Sequence, residues 1–315
     1  MPDTMHLVDP ALRPMLEMWP TVALSAETLP ELRHRERALP LPPADPAGTT
    51  LERRQVPGPI RAPDIGLHIY KPEGVEGPLP CIYHIHGGGY VGGGAAQLEC
   101  FLRPLVRELQ CVLVSVDYRL APEDVFPAAI EDCYAGLRWT VENAAALGID
   151  TARIGVMGES AGGGLAASLA LLARDRSEYS LAFQHLTYPM IDDRTCTTGD
   201  PHPYTGEFIW TPNNNRFGWA SLLGQEPGGA DVSPYAAASR AIDLTGLPPT
   251  YIMAGALDLF LEEDLDYARR LIRAGVPTEL HVFPGGFHGF DIFPLSAAST
   301  AAQAARTAAL ARALA

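Results

Sequence analysis

Short apolar runs alternate with longer amphipathic segments through most of the chain, starting near Leu51. The runs are rich in β-branched residues, which favours strands, and the segments between them carry apolar residues at helical spacing. The predicted strands are LHIYKP from Leu67, CIYHI from Cys81, CVLVSV from Cys111, RIGVMG from Arg153, AFQHLTYP from Ala182, TYIMAG from Thr250 and ELHVF from Glu279. The predicted helices are 97–110, 128–146, 161–174 and 262–274. This alternation predicts an α/β protein whose mostly parallel sheet has helices on both faces.

Two segments do not follow the alternation. Residues 1–50 predict one or two amphipathic helices that end in the proline-rich stretch PLPPADPAG. Residues 192–235 are rich in Pro, Asn, Gly and aromatic residues, and they interrupt the sheet between two strands. We expect both segments to form a cap over a core made of residues 51–191 and 236–315. The alanine-rich stretch 296–315 predicts an ordinary final helix, because Ala has the highest helix propensity.

The composition excludes several classes of protein. The 315 residues are 47% hydrophobic and 19% charged, which is typical of a globular protein. A formal net charge of -14, without a run of basic residues, argues against nucleic acid as a partner. No apolar stretch has the length of a membrane helix, and the N-terminus lacks the features of a signal peptide, so we expect a cytoplasmic protein. The five cysteines show no CxxC spacing, which favours buried thiols over a disulfide or a zinc site.

A glycine-rich loop, HIHGGGYVGGG in residues 84–94, follows the apolar run CIYHI. Glycine has no Cβ, so the loop predicts a close approach of backbone to a ligand. A phosphate-binding P-loop is excluded, because no Lys follows the last glycine. The loop also contains the pattern GxGxxG, which is typical of dinucleotide-binding proteins. Asp117 ends the next strand, where such proteins have the carboxylate that binds the ribose of the dinucleotide. The third use of such a loop is to bind the oxyanion in acyl transfer.

The motif GESAG in residues 158–162 favours acyl transfer. It joins a predicted strand to a predicted helix, where a GxSxG motif forms a sharp turn that exposes its serine. Such a serine needs a histidine base and an acid that orients the base, in the chain order serine, acid, histidine. Asp258 follows the strand TYIMAG, and His288 follows the strand ELHVF. The predicted catalytic residues are therefore Ser160, Asp258 and His288.

Alternatives to this assignment exist at each position. GESAG can be a generic glycine-rich turn with an exposed serine, and Asp258 can be the cap of the helix that follows it. The rival acids are Glu262, Glu263 and Asp264, which lie further along the chain in that helix. The rival histidines are His281 and His185 in the middle of strands, and His6, His34 and His202 in the expected cap.

With a serine nucleophile, the glycine loop predicts the oxyanion hole. The backbone N–H groups of Gly88 and Gly89 are expected to donate from one side, and that of Ala161 from the other. We expect His86 to fix the loop through a hydrogen bond rather than to transfer a proton.

Four motifs in this order, HGGGY, DYRLAPE, GESAGG and PGGFHGF, resemble those of the hormone-sensitive lipase-like esterases, family IV of the bacterial lipolytic enzymes. The resemblance covers residues 51–290 approximately, and it assigns Asp117 to DYRLAPE rather than to a dinucleotide site. It implies an α/β-hydrolase fold with a helical cap, and hydrolysis of short- to medium-chain carboxylic esters without cofactor or metal. It also implies the triad Ser160, Asp258 and His288, with Gly88, Gly89 and Ala161 as the oxyanion hole.

Some features stay open within this resemblance. Glu159 stands where the family commonly has Asp or Thr, and Leu259 stands where Pro commonly follows the acid. The same triad can serve an amidase, a formamidase or a lactonase, and a non-catalytic ligand receptor is an alternative from another class. Dimers occur in the family, which leaves a homodimer open. Several cap side chains either line an apolar pocket or form the core of the cap: Met15, Met18, Trp19, Phe208, Trp210, Phe217 and Trp219.

Overall fold

The structure, a computed structural model, describes residues 3–37 and 41–315. Its strands are β1 (Thr49–Val56), β2 (Ile65–Pro72), β3 (Leu79–Ile85), β4 (Val112–Asp117), β5 (Ile149–Glu159), β6 (Gln184–Thr187), β7 (Thr250–Gly255) and β8 (Thr278–Phe283). They form one eight-stranded sheet in the order β1-β2-β4-β3-β5-β6-β7-β8. Strand β2 is antiparallel to both of its neighbours, and the pairs from β4 to β8 are parallel. The predicted mostly parallel sheet is therefore confirmed.

All the predicted strands are present, and β1 is an additional one that the sequence pattern did not indicate. Its sequence, TTLERRQV, is charged in the middle, and its residues are mostly exposed at the edge of the sheet. An edge strand buries little apolar surface, so it leaves no apolar run in the sequence.

The described helices are α1 (Arg13–Met18), α2 (Leu29–Arg37), α3 (Glu99–Leu109), α4 (Ala128–Glu142), α5 (Ala144–Leu147), α6 (Ala161–Arg176), α7 (Pro212–Leu223), α8 (Leu261–Arg273) and α9 (Ala297–Leu314). The predicted helix 128–146 is interrupted at Asn143, between α4 and α5. The predicted final helix is α9, and a Ser296 capping box begins it. The predicted N-terminal helical region reaches residue 39, and residues 38–40 lie outside the described ranges. None of the described helices combines the length and the apolar character needed to span a membrane.

Successive residues of the central strands contact opposite layers of helices. In β3, Tyr83 and Ile85 pack in a core cluster with residues of α4, α6 and α8. Ile82, directly before Tyr83 in the strand, packs in a second cluster with residues of α3 and α9. Because side chains alternate across a strand and both faces are covered, the strand is mostly apolar along its whole length. This double burial explains the continuous apolar runs of the sequence.

The two segments outside the alternation contact each other and the core. In α7, the Asn214 side chain donates to the Val22 carbonyl at 2.8 Å and accepts from the Leu24 amide at 2.9 Å. In α2, Arg33 donates to both carboxylate oxygens of Glu123, at 2.7 and 2.9 Å, and to the Val91 carbonyl at 2.6 Å. These contacts connect the N-terminal segment to the inserted segment and to the motif DYRLAPE. The proposed division into cap and core remains a prediction.

Candidate active site

Ser160 lies at a sharp turn between β5 and α6, with φ of 56° and ψ of -124°. A positive φ at a residue with a side chain costs about 1–3 kcal/mol and is characteristic of functional sites. Glycines make the turn possible, because a Cβ on Gly158 would lie 2.2 Å from the Gly162 carbonyl oxygen. A Cβ on Gly162 would lie 2.1 Å from the Ile85 carbonyl oxygen, so the turn also packs tightly against β3. The serine is consequently held at the carboxyl edge of the sheet and at the N-terminus of α6.

His288 connects Ser160 to Asp258 in one chain of hydrogen bonds. Its Nε2 lies 2.9 Å from Ser160 Oγ, and its Nδ1 lies 2.9 Å from Asp258 Oδ2. Asp258 is fully buried, and its other carboxylate oxygen accepts a 3.0 Å hydrogen bond from the Phe260 amide. The imidazole ring lies 4.7 Å from the Tyr188 ring and 5.2 Å from the Phe260 ring, measured between centroids. This arrangement allows the imidazole to accept the serine proton while the carboxylate orients the ring.

None of the rival acids has a hydrogen bond to His288 among the described residues. Glu262 is exposed on the first turn of α8. The Glu263 carboxylate accepts from the Ile191 amide at 2.7 Å, and burial raises its pKa well above the ordinary value. Asp264 is fully buried without a hydrogen-bond partner among the described residues, and burial likewise raises its pKa. Asp258 is the acid that the structure brings to His288.

The rival histidines have no hydrogen bond to Ser160 among the described residues. His185 is buried and stacks on Tyr251 with 4.3 Å between ring centroids. Burial lowers its pKa to about 3, so its ring is neutral. His281 is partly exposed and pairs with Glu279 at 2.8 Å. In the N-terminal segment, His6 and His34 are exposed, and His202 contacts the Tyr204 ring in the inserted segment.

Gly88 and Gly89, two of the expected oxyanion donors, line the same cavity as Ser160, and Ala161 directly follows it. The loop lies against the nucleophile turn, because a Cβ on Gly87 would be 2.9 Å from the Glu159 carbonyl oxygen. Gly88 and Gly89 have positive φ values of 119° and 60°. Their amides and that of Ala161, at the first turn of α6, have no hydrogen-bond acceptor among the described residues. Unpaired N–H groups beside a nucleophile are suited to a developing oxyanion.

His86 supports the glycine loop. Its Nδ1 lies 2.8 Å from the Gly87 carbonyl oxygen, and its ring stacks on Tyr118 with 4.3 Å between centroids. Burial lowers the pKa of His86 to about 4, and its ring is therefore neutral near pH 7. The expected hydrogen bond of His86 to the loop is confirmed. Asp117, which the dinucleotide alternative required, accepts a 2.6 Å hydrogen bond from the Ala95 amide instead.

A cavity of about 640 Å³ opens at Ser160 and His288. Its apolar lining comes from the N-terminal segment, the inserted segment, α3 and α9: Met15, Trp19, Leu24, Ile209, Trp210, Phe101, Leu105 and Leu310. Of the cap side chains singled out in the sequence, Met15, Trp19 and Trp210 line the cavity. The others do not: Trp219 and Phe208 are buried in core clusters, Phe217 packs on a small cluster with Leu29, and Met18 is exposed. Among the described residues, no group of three or more His, Cys, Asp or Glu side chains is arranged to hold a metal ion.

Three residues of the site were not indicated by any sequence motif. Arg306 and Gln303 in α9, and Asp291 in the loop after β8, line the same cavity as Ser160. They lie far along the chain from the nucleophile, and the alanine-rich sequence of α9 gives no sign of a functional residue. Only the tertiary fold brings them to the site.

Known proteins resemble this chain over most of its length. Residues 82–292 match the model of a family that has the alpha/beta hydrolase fold. Carboxylesterase NlhH of Mycobacterium tuberculosis is 37% identical over 313 residues, which cover 98% of this chain and 96% of that protein. The arylesterase of Saccharolobus solfataricus is 31% identical over 250 residues, 79% of each protein. The structure of a bacterial heroin esterase is similar with a TM-score of 0.93 and 39% identity, and covers 99% of both chains.

Proposed function

This chain belongs to the hormone-sensitive lipase-like branch of the α/β-hydrolase family and is a carboxylic ester hydrolase, and we propose that it acts through an acyl-enzyme intermediate on Ser160. The observation that carries the proposal is the hydrogen-bonded chain from Ser160 through His288 to Asp258, with both distances at 2.9 Å. The roles of these three residues, and of Gly88, Gly89 and Ala161 as oxyanion donors, are part of the proposal.

In the first half of the proposed reaction, Ser160 becomes acylated. Its Oγ forms a bond to the ester carbonyl carbon while His288 Nε2 takes the hydroxyl proton. The carbonyl oxygen becomes negative and accepts hydrogen bonds from the amides of Gly88, Gly89 and Ala161. The bond from the carbonyl carbon to the alkoxy oxygen then breaks, and His288 returns the proton to the leaving alcohol. Asp258 holds the imidazole in the tautomer that these transfers need.

In the second half, water replaces the serine as the nucleophile. His288 takes a proton from the water as its oxygen bonds to the acyl carbon, and the same amides stabilise the new oxyanion. The bond to Ser160 Oγ breaks and His288 returns the proton to that oxygen. The carboxylic acid leaves and the free enzyme is restored.

The predicted alternative, an amidase, formamidase or lactonase on the same triad, is not favoured. The relatives are named carboxylesterase and arylesterase, and those names describe ester substrates. The non-catalytic receptor is not favoured either, since such proteins typically lose a member of the triad and this chain has all three.

The size of the cavity supports small esters. A volume of about 640 Å³ lies within the roughly 300–1,000 Å³ of ordinary small-molecule sites. With linear nitrophenyl esters from acetate to palmitate, we expect kcat/KM to be highest between butyrate and octanoate and at least about tenfold lower for palmitate. A nitroanilide with the best acyl group should react at least about tenfold more slowly than its ester. A maximum at palmitate, or equal rates for the amide and the ester, would contradict the proposed substrate class.

Gly89→Ala tests the oxyanion hole. A Cβ at this position of positive φ would lie 2.1 Å from the Trp210 ring, so either the loop or the ring must shift. Alanine keeps the backbone N–H but strains this turn and displaces it; loss of one oxyanion donor costs about 10²- to 10³-fold in kcat, and we expect a loss of that order with nitrophenyl butyrate.

Gly229→Ala is the control for adding a methyl group at a glycine away from the cavity. Gly229 is exposed, its φ is outside the left-handed region, and an added Cβ would have no atom within 4 Å. This variant should retain kcat within about twofold, since an unstrained substitution has little effect. A folded Gly89→Ala variant with the same kcat as Gly229→Ala would remove Gly89 from the proposed oxyanion hole.

A further inference from the structure

We propose that Arg306 is a positioning residue. It holds the nucleophile turn (the turn at Ser160 between β5 and α6) and the histidine loop (residues 284–296, between β8 and α9) at the separation that the reaction requires. The inference rests on the proposed function, because it takes Ser160 as the nucleophile and His288 as the base. It adds a part of the chain, α9, that the triad and the oxyanion hole do not include.

The guanidinium of Arg306 bridges two carboxylates. Its Nη2 donates to Glu159 Oε1 at 3.1 Å, and its Nη1 donates to Asp291 Oδ2 at 2.5 Å. Glu159 directly precedes Ser160 in the chain, and Asp291 follows shortly after His288. One side chain therefore connects the two segments that carry the reacting oxygen and nitrogen.

Glu159 and Asp291 each have a further contact besides Arg306. The other oxygen of Glu159 lies 3.0 Å from His84 Nε2, and His84 Nδ1 lies 2.8 Å from Ser115 Oγ, so Glu159 is tied to the central strands. Gln303, one turn before Arg306 on the same face of α9, donates to the Asp291 backbone carbonyl at 2.7 Å. Asp291 is thus fixed to α9 through both its side chain and its backbone.

The charges of this cluster are arranged to persist in the folded protein. Burial opposes ionisation of Glu159, but His84 and Arg306 lower its pKa to about 2. Burial also opposes the charge of Arg306, but Asp291 and Glu159 raise the pKa of the guanidinium above its ordinary value. Arginine suits this position because its planar fork can donate to two carboxylates at once, which a lysine ammonium on one flexible stem does less well.

The histidine loop needs such a support more than the nucleophile turn does. Ser160 is fixed between β5 and α6, whereas His288 lies in the irregular stretch between β8 and α9. A displacement of about 1 Å between reacting groups can cost about 10²-fold in rate. Because Arg306 and Gln303 tie this stretch to α9, we infer that losing the bridge lets His288 move relative to Ser160.

The test compares Arg306→Ala and Arg306→Lys with Arg312→Ala. Arg312 lies on the same helix and pairs with Glu279 at the surface, so its removal controls for the loss of an arginine from α9. For each folded variant we would measure kcat and KM with nitrophenyl acetate, and the rate at which a small uncharged phosphonate modifies Ser160. A thermal melt would give the folded fraction of each variant, and each rate constant would be divided by that fraction.

We expect Arg306→Ala to lower both kcat and the phosphonylation rate about 10- to 100-fold, with KM within about threefold. Arg306→Lys should recover part of this loss because it restores the charge, and Arg312→Ala should match the unaltered protein. Equal rates in folded Arg306→Ala and unaltered protein would show a purely structural role and overturn the inference. A higher KM with unchanged kcat would show substrate binding instead, and would overturn it as well.

Glu159→Gln and Asp291→Asn keep the test decisive if Arg306→Ala does not fold. Each removes the charge at one end of the bridge with little change in volume, and each should lower the phosphonylation rate. Unaltered rates in both would overturn the inference. In all these outcomes, labelling of Ser160 itself would leave the proposed function standing, whereas labelling of another residue would remove both.

Discussion

Replacing Ser160 with alanine is expected to lower kcat for nitrophenyl butyrate about 10⁶-fold. The substitution removes the only atom that forms the proposed acyl bond, and His288 then has no hydroxyl from which to take a proton. Loss of the nucleophile in a serine triad has an effect of this order, and the rate that remains comes from the oxyanion hole and substrate binding. The protein should stay folded, because the change removes one hydroxyl whose hydrogen-bond partner is His288.

Ser168→Ala is the matched control for this experiment. Ser168 is fully buried further along α6, and its hydroxyl has no hydrogen-bond partner among the described residues. The same chemical change should therefore leave kcat within about twofold there. A folded Ser160→Ala variant that keeps even one hundredth of the original kcat would contradict the role of Ser160 as nucleophile.

Replacing Asp258 with asparagine is expected to lower kcat about 10⁴-fold. The two side chains have nearly the same shape, but the amide cannot accept at both oxygen positions and favours the wrong imidazole tautomer. The negative charge that stabilises the imidazolium in the transition state is also lost. The effect should appear in kcat and also in the rate of phosphonylation, since both depend on deprotonation of Ser160.

Glu262→Gln provides the comparison. Glu262 was a rival acid in the sequence, and its side chain is exposed on α8. Its amide variant should keep kcat within about twofold. If Glu262→Gln lost more activity than Asp258→Asn, the assignment of the acid would be wrong.

The sequence predicted the fold where apolar periodicity is strong. Strands β3 and β4 are buried on both faces, and their continuous apolar runs identified them. Strand β1 was missed because it is charged and lies at the edge of the sheet, where burial leaves little trace in the sequence. The break at Asn143 was also missed, because a helix pattern fixes the existence of a helix better than its end.

The three predicted catalytic residues could be found because each follows a strand. In a parallel sheet the carboxyl ends of the strands meet at one edge, so residues far apart in the chain converge there. Ser160, Asp258 and His288 are in hydrogen-bond contact in the structure. Their catalytic roles remain predictions that the variants above test.

The surroundings of the triad could not be predicted from the sequence. Arg306 reaches Glu159 across 147 residues, and no motif or periodicity marks that pairing. In the inserted segment, Trp210 lines the cavity whereas Trp219 is buried in the core, although both are tryptophans in one aromatic-rich stretch. Trp219 lies in α7 and Trp210 just before it, so which of these two similar side chains lines the cavity depends on how the helix and the irregular stretch before it pack on the core.

The measurement that tests the central claim most directly is identification of the residue modified by an uncharged phosphonate that mimics the tetrahedral intermediate. Mass spectrometry of the digested protein should place a single adduct on Ser160 in step with the loss of esterase activity. The Ser160→Ala variant should take up no label, and Ser168→Ala should be labelled like the unaltered protein. An adduct on another residue, or full esterase activity after complete labelling of Ser160, would contradict the proposed mechanism.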